Sequence, residues 1–396
     1  MKKQILIVMS TLHLGGAETA LLGLLEALDY EIFDVDLFLH RHEGELLPFL
    51  PKQVNLLPEN SDYVCLAESV EQTLKRGKLF LVMGKAWGLL QGRLKESGGG
   101  ASIKGDYMFK SVVPFLPLIC PEKEYDLAIS FIFPHYIVPT KVRTKRKVAW
   151  IHTDYASVIL DVKSQLKMWE KYEKIISISE SVSKSFQKVF PSLANRLEII
   201  ENILPESYIR EKAKEEVSDF EERYNDEINL LSIGRFSYPK NFDNVPDICH
   251  RIREQGVNVK WYLIGYGCDE KLIQQKIVET GMQNYVIILG KKDNPYPYIK
   301  ACDIYVQPSR YEGKSVAVRE AQLLGKPVII TAYPTSRSQL QDGVDGFIVP
   351  MDNEECAQSI VQLIKNKELL IKVSNNCLSE DTAMKGEAKK LQHLIK

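Results

Sequence analysis

Two cations in the second half of the chain follow an apolar run at close spacing. Gly234-Arg235 comes directly after Asn229–Ile233, and Lys240 lies five residues beyond Arg235. The run predicts a strand, and in open parallel sheets ligands bind beyond the carboxyl ends of the strands. Two positive charges at one strand end suit a diphosphate. Either cation alone would be an ordinary surface charge.

A second candidate segment follows the apolar run Asp303–Gln307. It reads Pro308-Ser309-Arg310-Tyr311-Glu312-Gly313-Lys314-Ser315, and Val316 then begins a predicted helix that carries Glu320. The backbone N–H groups of a helix N-terminus attract anions. Glu320 lies about two turns beyond Glu312, so it can face the same side as Glu312. An ordinary acid favoured by the helix dipole is the alternative for Glu320.

Four further residues stand at the ends of predicted strands. Gly265 and Lys291 follow two strands of the second half. Gly16 belongs to His13-Leu14-Gly15-Gly16-Ala17-Glu18, which follows the first strand and opens a helix, and paired glycines there let a ligand approach the backbone. His152 ends a strand, where its side chain can reach a ligand. A buried histidine satisfied by hydrogen bonds is the alternative.

The elements that must position these residues are short strands alternating with helical patterns. Such runs, apolar on both faces, predict parallel sheets covered by helices on both sides. Thr19–Leu28 and Val316–Leu324 are the clearest crossover helices. The predicted strands are Gln4–Ser10, Val35–His40, Asp126–Phe131, Val148–His152, Lys174–Ser179, Arg196–Glu201, Asn229–Gly234, Val259–Gly265, Tyr285–Gly290, Asp303–Pro308, Pro327–Thr331 and Gly346–Pro350.

The chain is long enough for two cores. It has 396 residues, and single cores stop growing at about 250–300 residues. The pattern breaks near Pro205, before a charged stretch from Glu206 to Glu227. We therefore expect one domain over residues 1–205 and another over 206–379, with a C-terminal helix at about 380–396 packing back on the first.

Composition narrows the function classes. A net charge of −1 gives no support to a nucleic-acid-binding protein. Seven cysteines without CxxC spacing fit reduced thiols in a cytoplasmic protein rather than a disulfide framework or a zinc site. Asp34-Val35-Asp36 lies at the start of a strand, away from the ligand end, and is interpreted as structural. We expect no metal site and no transmembrane helix.

Residues 73–110 depart from the alternating pattern. They carry eight basic and two acidic residues, with apolar residues interleaved between them. One interpretation is a solvated helical hairpin that packs its apolar face on the domain. The other is a surface that contacts anionic lipid or a lipid-linked substrate, which would add peripheral association with the inner face of a membrane.

Together these motifs resemble the family 4 glycosyltransferases, most clearly from about Asn229 to Pro350. Glu312 and Glu320 match the family's E-x7-E motif, and Gly234-Arg235 with Lys240 is similar to its glycine-arginine and lysine element. Gly15-Gly16-Ala17-Glu18 matches the GGxE loop, and Asp342–Val349 resembles an NGxxGxLV-like lead-in. Where many relatives have Glu-Gly-Phe-Gly, this chain has Glu-Gly-Lys-Ser, a variant that part of the family also carries.

The resemblance implies the GT-B fold, with two Rossmann-like, doubly wound parallel-sheet domains facing across a cleft. The first domain would bind the acceptor and the second the nucleotide-sugar donor. By analogy, Arg235 and Lys240 would bind the donor diphosphate, Glu312 and His152 the donor sugar, Glu320 the ribose and Lys291 the base. Lys314 and Ser315 would offer backbone contacts. Further donor contacts would come from Gly16, Gly234, Gly265, Gly313 and Val316.

The reaction implied is metal-independent transfer, with retention at the anomeric carbon, of a hexosyl or N-acetylhexosaminyl group. The donor would be a UDP-sugar, used as a substrate with no cofactor, and the acceptor a glycan or lipid-linked hydroxyl in surface polysaccharide synthesis. Two alternatives remain. One is a nucleotide-sugar epimerase, and the other is a non-catalytic partner subunit with the same fold.

Overall fold

The computed structural model describes residues 2–95, 101–155, 158–217, 219, 227–379, 381 and 383–395. The chain divides into two compact units. The N-terminal unit comprises Met1–Pro205 and Met384–Lys396, and the C-terminal unit comprises Glu206–Ala383.

The N-terminal unit is built on a parallel sheet of seven described strands, in the order β3-β2-β1-β4-β5-β6-β7. The order runs outward in both directions from β1, as crossover connections on both faces require. The central strands are almost fully buried because helices cover both faces. The strands are β1 (Lys3–Met9), β2 (Phe33–Leu39), β3 (Asn55–Leu56), β4 (Tyr125–Ser130), β5 (Thr144–Ile151), β6 (Lys174–Ser177) and β7 (Leu197–Ile199).

Two strands differ from the prediction. The edge strand β3 has two residues, too few to show an apolar pattern. β5 begins at Thr144 rather than Val148, so it includes the basic residues Lys145, Arg146 and Lys147. Lys145 there pairs with Asp126 at the start of β4, with 2.8 Å between Nζ and Oδ1. This pairing explains why a polar sequence continues the sheet.

Helices of the N-terminal unit cover this sheet, and two further helices pack on each other as a hairpin. The first helix follows β1 directly, as the Gly15-Gly16 motif predicts. The helices are α1 (Gly16–Ala27), α2 (Ser61–Val64), α3 (Val70–Lys75), α4 (Leu79–Lys95), α5 (Ala101–Val112), α6 (Val138–Lys141), α7 (Val162–Trp169) and α8 (Glu180–Val189).

The segment 73–110 forms a helical hairpin of α4 and α5. Gly88 packs so closely on α5 that a Cβ atom there would lie 2.5 Å from the Cα of Met108. The hairpin therefore agrees with the first interpretation. Leu81 of α4 does pack into the core of the domain, but Phe80, Met83 and Trp87 of the same helix are all more than half exposed.

The C-terminal unit repeats the architecture with a parallel sheet of six described strands, in the order β10-β9-β8-β11-β12-β13. The prediction of two Rossmann-like parallel sheets is thus confirmed. The strands are β8 (Ile228–Ile233), β9 (Val259–Ile264), β10 (Val286–Gly290), β11 (Ile304–Gln307), β12 (Val328–Thr331) and β13 (Phe347–Val349).

Helices of this unit alternate with the strands. Its apolar core joins β8, β9 and β11 to the buried faces of α10 and α15, with Trp261 fully buried at its centre. The helices are α9 (Glu206–Lys212), α10 (Val245–Glu254), α11 (Glu270–Glu279), α12 (Tyr296–Ala301), α13 (Val316–Leu323), α14 (Ser336–Gln339), α15 (Asn353–Lys365) and α16 (Lys367–Ser379).

The chain then returns to the N-terminal unit. Instead of one long helix, the returning segment has a 3-10 helix, Lys385–Lys390, followed by the short α17 (Leu391–Leu394). The Glu387 carboxylate accepts a hydrogen bond from the Glu201 N–H at 3.0 Å. Lys390 donates to the Ile199 carbonyl at 3.2 Å, so the segment is fixed beside β7.

Within the described residues, no helix is both long enough and apolar enough to cross a membrane.

The carboxylate of Asp36 accepts hydrogen bonds from Tyr125, Lys123 and Asn55 at 2.6–2.8 Å. These contacts hold Asp36 within the N-terminal sheet, in agreement with a structural role for this residue.

Candidate functional site

The sheet order brings the two charged segments of the C-terminal unit together. Since β8 and β11 are neighbours, the loops after their carboxyl ends meet. Asn241, held in a left-handed conformation at φ 61°, donates its side-chain amide to the Pro308 carbonyl at 2.8 Å. The Arg310 N–H donates to the Pro239 carbonyl at 2.8 Å. The loop that carries Lys240 is thereby fixed against the loop that carries Glu312.

Lys240 and Glu312 form an ion pair at this junction. Lys240 Nζ donates to Glu312 Oε1, and the side chains are 22% and 10% exposed. Ser309 Oγ donates to the same carboxylate oxygen at 2.9 Å. Since a buried charge must be paired and hydrogen-bonded, these contacts account for the burial of Glu312.

A chain of buried hydrogen bonds extends behind Glu312. Gln307 donates its amide to Ser309 Oγ at 3.0 Å, and the Tyr305 hydroxyl donates to Gln307 Oε1 at 2.8 Å. Tyr305, Gln307 and Ser309 are fully buried. On the other side, Thr335 Oγ1 donates to the Glu312 carbonyl at 2.6 Å. The position of the Glu312 carboxylate is thus set by protein contacts before any ligand arrives.

The arginines near this junction have different environments. Arg310 forms a bidentate pair with Asp243, with both N–O distances 2.8 Å, so its charge is already neutralised. Arg235 is exposed, and its guanidinium makes no hydrogen bond or ion pair with the described residues. Arg235 is thus the arginine of this region whose charge remains open to an anion.

Two glycines at the strand ends have packing reasons for their identity. A Cβ atom on Gly265 would lie 1.8 Å from the Gly234 carbonyl oxygen. A Cβ on Gly234 would lie 3.3 Å from the Cδ and Cε atoms of Lys240. Gly265 therefore lets β8 and β9 end in contact, and Gly234 leaves room for the Lys240 side chain.

The segment before α13 agrees with the sequence prediction in part. Gly313 has open space where a Cβ would stand, Lys314 is exposed, and Val316 is 48% exposed at the start of α13. Ser315 differs. Its N–H donates to Gln339 Oε1 at 2.6 Å, so the N–H that we expected to face a phosphate already has a partner. This buried contact ties α13 to α14.

Glu320 lies one and a half turns into α13 and is half-buried. The Tyr296 hydroxyl donates to Glu320 Oε1 at 3.1 Å. Burial raises the pKa of Glu320 to about 7, and the Tyr296 hydrogen bond opposes that rise. The carboxyl group therefore changes its charge near neutral pH.

Lys291 follows β10 and is 66% exposed. Its Nζ lies 3.2 Å from Asp293 Oδ1, an exposed pair of the kind that contributes little to stability. The neighbouring Lys292 instead pairs with Asp219.

Two predicted residues, Gly16 and His152, belong to the N-terminal unit. Gly16 is the first residue of α1, with open space where a Cβ would stand. His152 directly follows β5. Both its ring nitrogens are buried, and neither makes a well-formed hydrogen bond with the described residues. Burial lowers the pKa of His152 to about 4, against a weak opposing effect of the Phe131 backbone, so the ring is neutral.

Sequence reasoning did not assign roles to Ser309, Gln339 and Tyr296. Ser309 stands inside the quoted Pro308–Ser315 motif, and its place two residues after a buried strand was the available signal. Gln339 and Tyr296 gave no such signal, because each acts through a contact with a residue more than twenty positions away.

Comparison with protein families also singles out the C-terminal unit, which contains Lys240 and Glu312. Residues 213–378, within the C-terminal unit, match the family model of glycosyl transferases group 1. An uncharacterized glycosyltransferase of Methanocaldococcus jannaschii is 27% identical over 176 residues, which are 44% of this chain and 43% of that protein.

A second relative has a stated activity. It is the N-acetylgalactosamine-N,N'-diacetylbacillosaminyl-diphospho-undecaprenol 4-alpha-N-acetylgalactosaminyltransferase of Campylobacter jejuni. It is 24% identical over 188 residues, which are 47% of this chain and 49% of that protein. The matched segments therefore span less than half the length of these two relatives.

Among solved structures, HepE of Anabaena, in complex with UDP and glucose, superposes with a TM-score of 0.56 at 16% identity. The alignment covers 99% of this chain and 98% of HepE. This likeness concerns the fold, and it confirms the predicted GT-B class of two Rossmann-like parallel-sheet domains.

Proposed function

We propose that the protein is a retaining glycosyltransferase. It moves a hexosyl or N-acetylhexosaminyl group from a UDP-sugar to a hydroxyl of a glycan or lipid-linked acceptor in surface polysaccharide synthesis. The observation that carries this proposal is the pairing of Lys240 with Glu312, which lie 72 residues apart. It joins a cation suited to a diphosphate with a carboxylate suited to a sugar. The match of residues 213–378 to a glycosyltransferase family supports the same reading.

Lys240 and Arg235 bind the donor diphosphate in this proposal. When the diphosphate arrives, Lys240 exchanges Glu312 for phosphate oxygens, and Arg235 turns from solvent to join it. The two cations then stabilise the negative charge that develops on the leaving phosphate. We propose that they make a metal ion unnecessary, so that the activity persists in a chelator such as EDTA.

Glu312 acts on the donor sugar. Its carboxylate, released from Lys240 but still held by Ser309, accepts hydrogen bonds from sugar hydroxyls. Because Gly313 leaves its Cβ position open, a sugar can approach the backbone beside Glu312. Lys314 and Val316 border this approach from the exposed side.

Glu320 and Lys291 hold the nucleoside. The ionised Glu320 accepts hydrogen bonds from the ribose hydroxyls, and Lys291 contacts the base by exchanging its exposed pair with Asp293. Gly234 and Gly265 keep the strand ends compact, so that these groups approach the same nucleotide. UDP is the nucleotide expected from family frequency.

The chemical step is a front-face displacement. The bond between the anomeric carbon and the phosphate oxygen breaks as the acceptor hydroxyl oxygen bonds to the same face of that carbon. The departing phosphate takes the hydroxyl proton, so charge and atoms balance without an enzymic nucleophile. Gly16 and His152 belong to the N-terminal unit, and we propose that they serve the acceptor step and the donor sugar.

Product analysis tests this function. We would follow UDP release from a panel of UDP-sugars with saccharide and polyprenyl-phosphate-linked acceptors, with and without EDTA. The anomeric proton coupling of the product would be read by NMR. The proposal expects acceptor-dependent UDP release in EDTA and a product with the anomeric configuration of the donor. Acceptor-independent release of nucleotide and altered sugar, or an inverted product, would overturn it.

A further inference from the structure

One side of α4 exposes a continuous row of large apolar side chains, which we call the apolar face of α4. At about 100° per residue, these positions fall within a single arc of about 100° on the helix. The residues are Leu79 (60% exposed), Phe80 (70%), Met83 (64%), Trp87 (57%), Leu90 (48%) and Leu94 (79%).

The opposite side of α4 is fitted to α5 by small residues. Added Cβ atoms at Gly84, Gly88 and Gly92 would lie 2.9, 2.5 and 2.7 Å from atoms of the facing helix. Lys85 is buried and donates to Thr73 Oγ1 at 2.9 Å and to two backbone carbonyls. These contacts fix the rotation of the helix. The apolar face therefore cannot turn inward without losing them.

The apolar face continues onto the 3-10 helix Val113–Phe115, which follows α5. Phe115 is 47% exposed, and its ring stacks on Phe80 with 6.1 Å between ring centroids. A shallow groove of about 500 Å³, lined by Met83, Trp87, Leu90 and Phe115, lies between the two helices. Monomeric soluble proteins rarely expose an apolar patch of this extent without a partner.

Positive charge lies beside this patch. Lysines 110, 141, 167 and 171 line a second cavity of about 510 Å³ on the other side of residues 110–115. Lys167 and Lys171 are exposed, and no ion pair with the described residues involves them. Arg93 and Lys95, both exposed, lie at the end of α4.

Negative charge is sparse on the hairpin itself. Residues 77–112 contain two acidic side chains. Asp106 is buried and accepts hydrogen bonds from the Tyr136 hydroxyl, with the shorter contact 2.8 Å. Glu96 lies outside the described residues. The described surface of α4 and α5 therefore combines apolar side chains with cations.

We infer that the apolar face of α4 docks on a bilayer surface that carries anionic lipid. Aromatic and aliphatic side chains on one face of a helix, with Lys and Arg nearby, suit a helix that lies in the interface. A second copy of the chain suits this surface less well, because pairing two such faces would bring the cations of both copies together. The inference does not depend on the transfer reaction, since it concerns binding alone.

The chain carries its own reporter for this contact. Of its four tryptophans, Trp150, Trp169 and Trp261 are buried, whereas Trp87 lies in the apolar face of α4. We would incubate the full chain with phosphatidylcholine vesicles, with or without 30 mol% phosphatidylglycerol, and measure sedimentation and acrylamide quenching. The expected result is binding that increases with phosphatidylglycerol, a blue-shifted emission and weaker quenching. Trp87→Phe should remove the emission change.

Matched variants locate the surface. Phe80→Ser/Leu94→Ser should lower vesicle binding about tenfold or more, because two of the apolar contacts are lost. Val278→Ser, at a position on α11 that is 63% exposed, should leave binding unchanged. Lys167→Glu/Lys171→Glu should reduce the dependence on phosphatidylglycerol. A rise in the Tm of each variant with UDP shows that the variant is folded. It also tests nucleotide binding at the donor site independently of the vesicles.

Three outcomes would overturn the inference. They are no sedimentation with either vesicle, equal binding by Phe80→Ser/Leu94→Ser and wild type, and a wild-type dimer in light scattering that this variant abolishes. The last would assign the apolar face of α4 to a second copy of the chain. Failure of UDP to stabilise any variant would count against the proposed transferase instead, and would leave the membrane result standing.

Discussion

The carboxyl edges of the two sheets are built in different ways. In the C-terminal unit, Glu312 is tied to Lys240 and Ser309, so its charge and position are fixed by protein contacts. In the N-terminal unit, Gly16 has open space beside it, and both nitrogens of His152 are buried without a well-formed hydrogen bond to the described residues. The Glu312 carboxylate is therefore positioned before a ligand binds, whereas the His152 ring nitrogens keep their hydrogen-bonding capacity.

The difference suggests a division of labour. Unsatisfied buried polar groups are rare in folded proteins and often mark a place where a ligand supplies the partner. We therefore expect changes in the C-terminal unit to affect nucleotide binding and catalysis together. Changes in the N-terminal unit should affect transfer while nucleotide binding persists. Substitutions in each unit can therefore separate nucleotide binding from transfer.

Glu312→Gln should have the largest effect. It keeps the size of the side chain but removes the charge that Lys240 and the donor sugar use in turn. We expect kcat/KM to fall about 10²- to 10³-fold, as when a preorganised electrostatic contact is removed. The matched control is Glu368→Gln, an exposed position on α16, which should behave like wild type. Equal activity in the two variants would remove Glu312 from the mechanism.

His152→Asn tests the other side of the contrast. The shorter amide can replace Nδ1 but cannot place a nitrogen where Nε2 of the ring lies, so a hydrogen bond from Nε2 to the donor sugar or acceptor is lost. We expect kcat to fall about tenfold, the effect of one net hydrogen bond. Stabilisation by UDP should be unchanged. A variant that loses UDP stabilisation as well would show that the two units do not divide their roles as stated.

Glu320 predicts two opposite dependences on pH. Its pKa in the folded protein, about 7, lies above the ordinary value of 4.5. Ionising it therefore costs folding free energy, so the contribution of Glu320 to the free energy of unfolding falls between about pH 4.5 and 7. The ionised form is the better acceptor for ribose hydroxyls, so KM for the donor should fall as pH rises through 7.

The control for this prediction is Glu320→Gln, which removes the titrating group. In this variant KM for the donor should change little across neutral pH. In wild type it should fall about threefold, since the ionised acceptor adds about 0.7 kcal/mol of net hydrogen-bond free energy. A wild-type profile that persists in Glu320→Gln would assign the titration to another group.

Ser309→Ala should have the smallest effect of this set. Ser309 donates one hydrogen bond to the Glu312 carboxylate and does not touch the substrate in our proposal, so its loss leaves the charge of Glu312 in place. We expect kcat to fall about twofold while KM for the donor changes little, because the lost hydrogen bond has a net worth of about 0.5 kcal/mol. A rise in KM without a change in kcat would instead place Ser309 in ground-state binding.

The sequence predicted the C-terminal sheet and its loops well for a physical reason. Each strand from β8 to β13 is a short apolar run, and charged residues begin directly after β8 and β11. Neighbouring carboxyl ends must then meet, which brings Lys240 and Glu312 together. The sequence could not predict which charged and hydrogen-bonding groups already have a partner within the folded protein. The occupied N–H of Ser315 and the bidentate pairing of Arg310 depend on partners distant in the chain.

For the hairpin of α4 and α5, the sequence could not predict which side of α4 is exposed. Its mixture of basic and apolar residues allowed two interpretations, because the pattern does not say which side of the helix the domain occupies. The direction was set by Gly84, Gly88 and Gly92, whose role is visible once α5 is in place. Small residues at a close helix contact turned the larger ones outward.

The most direct test of the central claim is thermal unfolding with UDP, GDP and ADP on wild type, Lys240→Ala, His152→Asn and Lys372→Ala. Ligand binding at a hundredfold excess over Kd stabilises a protein by about 2.7 kcal/mol. Lys372, exposed on α16, controls for the lost charge. We expect UDP to raise Tm in every protein except Lys240→Ala. A wild type that no nucleotide stabilises, or a Lys240→Ala variant stabilised equally, would contradict it.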